Sequence, residues 1–108
     1  MANTFKNSFS KSVGTSAATI YTAPSATQTT LIGLSVANTT ASPITCDAYV
    51  TSSAVDYYLI KGATVPVGGS LVIVGGDQKV VLEAADALKV ISSAASSADV
   101  VCSLLEIA

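Results

Sequence analysis

The chain has 108 residues, half of them hydrophobic, yet only seven acidic and five basic side chains, no His and no Trp, for a formal net charge of −2. That length makes one domain with a single two-layer core, and the charge is too weak to steer strongly toward or away from nucleic acid. Without His the usual serine and cysteine catalytic arrangements cannot be assembled. The basic residues, Lys6, Lys11, Lys61, Lys79 and Lys89, are scattered and there is no Arg, so no base-reading surface is expected.

The opening MANTFKNSFSKS is polar, with isolated Phe5 and Phe9 and two of the five lysines. It lacks the apolar stretch of a secretory signal, and no later run reaches membrane-spanning length, so folding in a cytoplasm is expected. Residues 1–12 read as an N-terminal arm, either a disordered tail or a segment that orders against a neighbouring subunit. Residues 13–108 read as a β-sandwich domain.

Within that domain SAATIY (16–21) is a strand, and APSATQ a turn that Pro24 helps to fix. In TTLIGLSVANTT, Ile32, Leu34 and Val36 alternate with Gly33 and Ser35, the period-2 signature of a strand with one buried face. ITCDAYV follows, with Ile44, Cys46, Ala48 and Val50 on one face and Thr45, Asp47 and Tyr49 on the other. In VDYYLIKGA large side chains fill both faces, Val55, Tyr57 and Leu59 opposite Asp56, Tyr58 and Ile60, so one face is expected to meet a partner chain or the N-terminal segment. TVPVGG ends this strand through Pro66, Gly68 and Gly69.

SLVIVGG is a short strand with a fully apolar centre. DQKVVLEA and ALKVISSA then read as a hairpin around Ala84, Ala85 and Asp86, and SADVVCSLLEIA as the last strand. The stretch VVLEAADALKVI also keeps a helical spacing, but its β-branched ends, its alternation and its lack of a capping box favour strand. Seven to eight short strands at intervals of eight to twelve residues make an all-β protein, a single antiparallel β-sandwich of jelly-roll or Ig-like strand order.

Chemistry is sparse. The carboxylates Asp47, Asp56, Asp77, Glu83, Asp86, Asp99 and Glu106 share no close motif and read as strand ends and turns. Asp77 with Asp86 or Asp99 would form a calcium site only if folding brought them together. KGATVPVGGS lacks a phosphate-binding GKS or GKT, and its glycines serve turns. Cys46 and Cys102 read as reduced core residues, an intersheet disulfide being the alternative. No cofactor, metal or catalytic residue is expected. The candidate interface residues are Phe5, Phe9, Tyr49, Tyr57 and Tyr58, aromatics that cover apolar area while tolerating water at one edge.

The strings YTAP, LIGLSVANTT, YYLIKGATVPVGGSLVI, GDQKVVLEAADALKVISS and SADVVCSLLEI, spread from about Ser12 to Ala108, resemble a family of small virion proteins of tailed bacteriophages, including phages of cyanobacteria and other aquatic bacteria. Family members more often show Gly before Asp where this chain has Ala85 and Asp86. The resemblance implies a non-enzymatic structural protein of the virion, assembled in the host cytoplasm: a capsid cement or decoration subunit on the major capsid protein, or else a neck, tail or fibre component. It also implies a homo-oligomer, with a trimer preferred, and no direct contact with nucleic acid or membrane. A carbohydrate-binding module using Tyr49, Tyr57 and Tyr58 is the recognition alternative.

Overall fold

A computed structural model describes residues 3–76 and 78–108. They form strands β1 (Asn3–Val13), β2 (Ala18–Thr22), β3 (Gln28–Asn38), β4 (Ile44–Ser52), β5 (Val55–Val65), β6 (Ser70–Val74), β7 (Val80–Leu82), β8 (Ala87–Ser92) and β9 (Ala98–Ile107). All pairings are antiparallel, in two stacked sheets. The five-stranded sheet runs β1-β9-β3-β6, with β7 also on β3, and the four-stranded sheet runs β2-β8-β4-β5. The arrangement is an open sandwich in which β1 lies over β2 and β5 over β6.

The core packs Leu31, Leu34 and Val36 of β3 and Val100, Cys102 and Leu104 of β9 against Ile44, Cys46 and Ala48 of β4 and Leu88 and Val90 of β8. No side chain in this core is larger than leucine or isoleucine; both phenylalanines lie outside it. The buried polar groups are satisfied. Asn38 donates to the carbonyls of Ser42 (2.8 Å) and Val65 (3.1 Å) and accepts from the Thr40 amide (2.8 Å), which fixes the turn into β4.

Three expectations change. The segment expected as an arm is residues 1–12; its described part, together with Val13, is strand β1, which pairs with β9 from Asn3↔Ile107 to Ser10↔Val100 without a shift and brings the strands of the described residues to nine. The segments around Ala84–Asp86 are not a hairpin: β7 belongs to the five-stranded sheet and β8 to the four-stranded one, so the turn crosses the sandwich. Its ends are tied by the Glu83 amide donating to the Asp86 carboxylate (3.0 Å) and the Ala85 amide to the Ala23 carbonyl (2.9 Å). Within β3, a register shift between Leu31 and Gly33 turns Ile32 out and Leu31 in, because a bulge inserts one residue into the alternation.

Cys46 and Cys102 are buried free thiols on opposite sheets. Burial pushes the Cys102 thiol up to about 11 and the Cys46 thiol upward as well.

Candidate functional site

Opposed residues of antiparallel strands share a face, so the register maps the outside of each sheet. On the five-stranded sheet the outward residues are Phe5, Asn7 and Phe9 of β1, Val101, Ser103 and Leu105 of β9, Thr30, Gly33 and Ser35 of β3, Val72 of β6 and Val81 of β7. Phe5 is 77% exposed, Val72 66%, Phe9 65%, Val81 63% and Val101 47%. Among the described residues the charged pair on this face is Lys11 with Asp99, 3.4 Å apart at its rim. A shallow groove of about 310 Å³ crosses the face where Phe5, Lys6, Asn7, Ile32, Ser103 and Leu104 meet.

The two phenylalanines reach this position because β1 is amphipathic in the reverse sense. Its opposite face carries Thr4, Lys6, Ser8 and Ser10, and Ser8 donates to the Ile20 carbonyl of β2. Polar residues thus point toward the other sheet while the aromatic ones point to solvent. Fully burying a side chain of this size is worth about 1.5–3 kcal/mol, and the fold leaves that gain unused at both positions.

The outside of the four-stranded sheet is different. Cross-strand pairing lines up Thr19, Lys89, Tyr49 and Tyr58, with Asp47 and Ile91 beside them and Thr51 opposite Asp56. Tyr49 is buried by its neighbours, its ring 4.9 Å from that of Tyr58, and the Lys61 ammonium lies 4.7 Å from the Tyr58 ring centre. Burial, first of all, pushes the Tyr49 phenol up. The carboxylates are committed locally: Asp47 accepts from the Gly62 amide at 2.7 Å and Asp56 from the Thr51 hydroxyl at 2.7 Å.

The candidate residues therefore separate into groups. Phe5 and Phe9 share the outside of the five-stranded sheet, and Tyr49 and Tyr58 form a tilted ring pair, 40° between planes, on the outside of the other. Tyr57, opposite Val50, lies on the reverse of β5 and is exposed at the sheet edge. Val72, Val81 and Val101 are not among the sequence candidates. Their signal was present: each sits between residues that alternate inward, so a strand apolar on both faces had one face to spare.

Two carboxylates of β9 hold β1. Glu106 accepts from the Tyr21 hydroxyl and lies 3.3 Å from the Lys6 ammonium; the Tyr21 hydroxyl is also 2.8 Å from that of Thr29. The Tyr21 hydrogen bond, then Lys6, holds the Glu106 carboxyl below its ordinary value, while burial and the Glu106 contact push Tyr21 up to about 12. Asp99 accepts from the Ser12 amide at 2.9 Å, the main cause of its lowered carboxyl, with Lys11 adding to it.

An open cleft of about 470 Å³ lies between the β2–β3 turn, the β7–β8 turn and the end of β9, with Glu83 its one ionisable side chain among the described residues. Also among them, no three His, Cys, Asp or Glu side chains come together in the manner of a metal site. Of the calcium candidates, Asp77 lies outside the described residues, Asp86 ties its own turn and Asp99 serves β1. The chain matches no family model, no curated protein and no solved structure.

Proposed function

We propose that the chain is a structural subunit of a virion, a capsid cement or decoration protein that docks the outside of its five-stranded sheet on the major capsid protein where capsomers meet. The observation that carries the proposal is that both phenylalanines are exposed on a sheet face whose charged pair, Lys11 with Asp99, lies at the rim. Such a face suits a large, dry contact with few charges to desolvate, and a bridging subunit needs only rigidity and area, about 1,000 Å² or more of buried surface per stable contact. The sequence resemblance to phage virion proteins points the same way, and the subunit is proposed to act as a homo-oligomer, a trimer by that resemblance.

We read the sandwich as a jelly roll in preference to an Ig-like order. With β7 set aside as an addition to β3, the paths β1-β9-β3-β6 and β2-β8-β4-β5 are those of eight strands wound as two facing four-stranded sheets. Viral capsid domains use that architecture and so do lectins, so the fold alone does not choose between them. The Tyr49–Tyr58 pair with Lys61 favours carbohydrate recognition as the second reading, but Tyr49 is buried and its ring is not free to stack on a sugar.

Co-sedimentation of the purified chain with assembled capsids and, separately, with isolated tails tests the proposal. Saturable binding to capsids alone, lost in the Phe5→Ser/Phe9→Ser variant, is the expected result. Binding to tails alone moves the subunit to the neck, tail or fibre. Binding to neither, with glycan affinity abolished by Tyr58→Ser, replaces the proposal with the carbohydrate reading.

A further inference from the structure

The free edge of β1 supports a second contact. An edge strand presents unpaired N–H and C=O groups that template pairing with another chain unless it is short, bulged or guarded by charge. The other four edge strands are managed in these ways: β2, β6 and β7 are short, and β5 is broken by two register shifts and the left-handed Gly62 (φ +67°). β1 is neither short nor bulged between Asn3 and Ser10, and its lysines do not guard it, since Lys6 and Lys11 each reach back to a carboxylate of β9.

We propose that β1 pairs with β1 of a second copy of this chain, antiparallel about a two-fold axis at Asn7, joining the two five-stranded sheets edge to edge. The register follows from the sequence of the strand. An axis normal to the sheet keeps the outward face outward, so only residues of like orientation can stand opposite. With the axis at Asn7, Phe5 of one copy stands opposite Phe9 of the other, twice, while Lys6 meets Ser8 and Lys11 meets Asn3. An axis at Lys6 sets lysine against lysine, and an axis at Ser8 sets Phe5 against Lys11 and Phe9 against Asn7. The Asn7 register alone of these three pairs aromatic with aromatic and separates like charges, both of which favour a cross-strand pairing. Its product is one continuous outward face with four phenylalanines at its centre and few charges, the Lys11–Asp99 pair of each copy. The contact is independent of the particle, and threefold association through another part of the surface is compatible with it because each copy has a single β1 edge.

Asn7 is exposed and at the axis, so Asn7→Cys tests the register directly. Opposed Cα atoms in an antiparallel pair are about 4.5–5.5 Å apart, within disulfide range. Under mild oxidation the full chain carrying Asn7→Cys is expected to form a covalent dimer, whereas Ser53→Cys, on the exposed β4–β5 turn, stays unlinked. In sedimentation, Phe5→Ser removes both ring pairs and is expected to raise the dimer dissociation constant about tenfold or more. A chain that stays monomeric at high concentration, or Asn7→Cys linking no faster than Ser53→Cys, overturns the proposal. Because no capsid is present, that failure leaves docking of the sheet face standing.

Discussion

The two outward faces of this sandwich are built from the same strand chemistry and end in opposite states. The four-stranded sheet closes its surface upon itself: Tyr49 is covered by its neighbours, Tyr58 lies against it, Lys61 lies over Tyr58, and Asp47 and Asp56 are each hydrogen-bonded within the strand pair. The five-stranded sheet leaves Phe5, Phe9, Val72, Val81 and Val101 in water with hydroxyls and amides between them. A face whose groups satisfy each other gains little from a partner. A face whose apolar area is unused gains much, and at this size the gain from burying two phenylalanines is on the order of micromolar-to-nanomolar differences in affinity.

Neighbouring residues of β3 give the sharpest contrast between inside and outside. Leu34 is buried in the core and Ser35 faces out beside Val101 and Val72. Leu34→Asp is expected to cost about 4 kcal/mol or more, since it buries an unpaired charge, and to abolish the cooperative thermal transition. Ser35→Asp is expected to keep the fold and weaken capsid binding. Equal loss of the thermal transition in both variants would break the distinction between the faces.

Removing the aromatic groups comes next in size. Phe5→Ser/Phe9→Ser is expected to lower capsid affinity by about a hundredfold or more, with the melting temperature little changed because neither ring packs in the core. Lys61→Ala, on the other sheet, is expected to change affinity less than about threefold. A larger effect from Lys61→Ala than from the double variant would reverse the assignment of faces.

Acid separates the sheets in another way. The Glu106 and Asp99 carboxyls are lower in the folded chain than in the unfolded one, so their stabilising contribution is present above the ordinary carboxylate range near pH 4 and is lost as pH falls through it. Both act on β1. Hydrogen-exchange protection of β1 amides, corrected for intrinsic rates, is therefore expected to fall below about pH 4 before that of β4 and β8. Simultaneous loss in β1 and β4 would contradict the clasp.

The smallest expected effect is at Ala85, which adopts a left-handed φ of +72° in the turn that crosses between the sheets. That conformation costs an alanine about 1–2 kcal/mol, of which glycine's unfolded-state entropy returns part. Ala85→Gly is expected to stabilise by about 0.5 kcal/mol with capsid binding unchanged, read as a rise in melting temperature of a few degrees. A loss of stability would mean that the turn depends on the alanine methyl group.

The strands from Ala18 onward were legible because alternation of large and small or polar side chains reports a buried face directly, as in Leu34/Val36 and Ile44/Cys46/Ala48. The burial of both cysteines followed from the same pattern. Which sheet a strand joins was not legible, since β7 and β8 alternate equally well as a hairpin or as strands on opposite sheets. β1 was hidden for a different reason. Its inward side chains are Thr4, Lys6, Ser8 and Ser10, so its pairing rests on backbone bonds to β9 and on Glu106 and Asp99, groups nearly a hundred residues distant. The sequence marks Phe5 and Phe9 as interface candidates on an arm, and the structure exposes both on β1; the bulge at Leu31–Gly33 decided that Ile32 faces the same way.

Cryo-electron microscopy of purified virions tests the central claim most directly, because it gives both the station of the subunit and the sheet that faces its neighbour. Copies are expected over capsomer junctions with Phe5 and Phe9 of the five-stranded sheet buried against the shell. Copies whose Tyr58 and Lys61 face meets the shell while Phe5 and Phe9 remain in solvent would contradict it, as would copies confined to a ring or fibre at the tail.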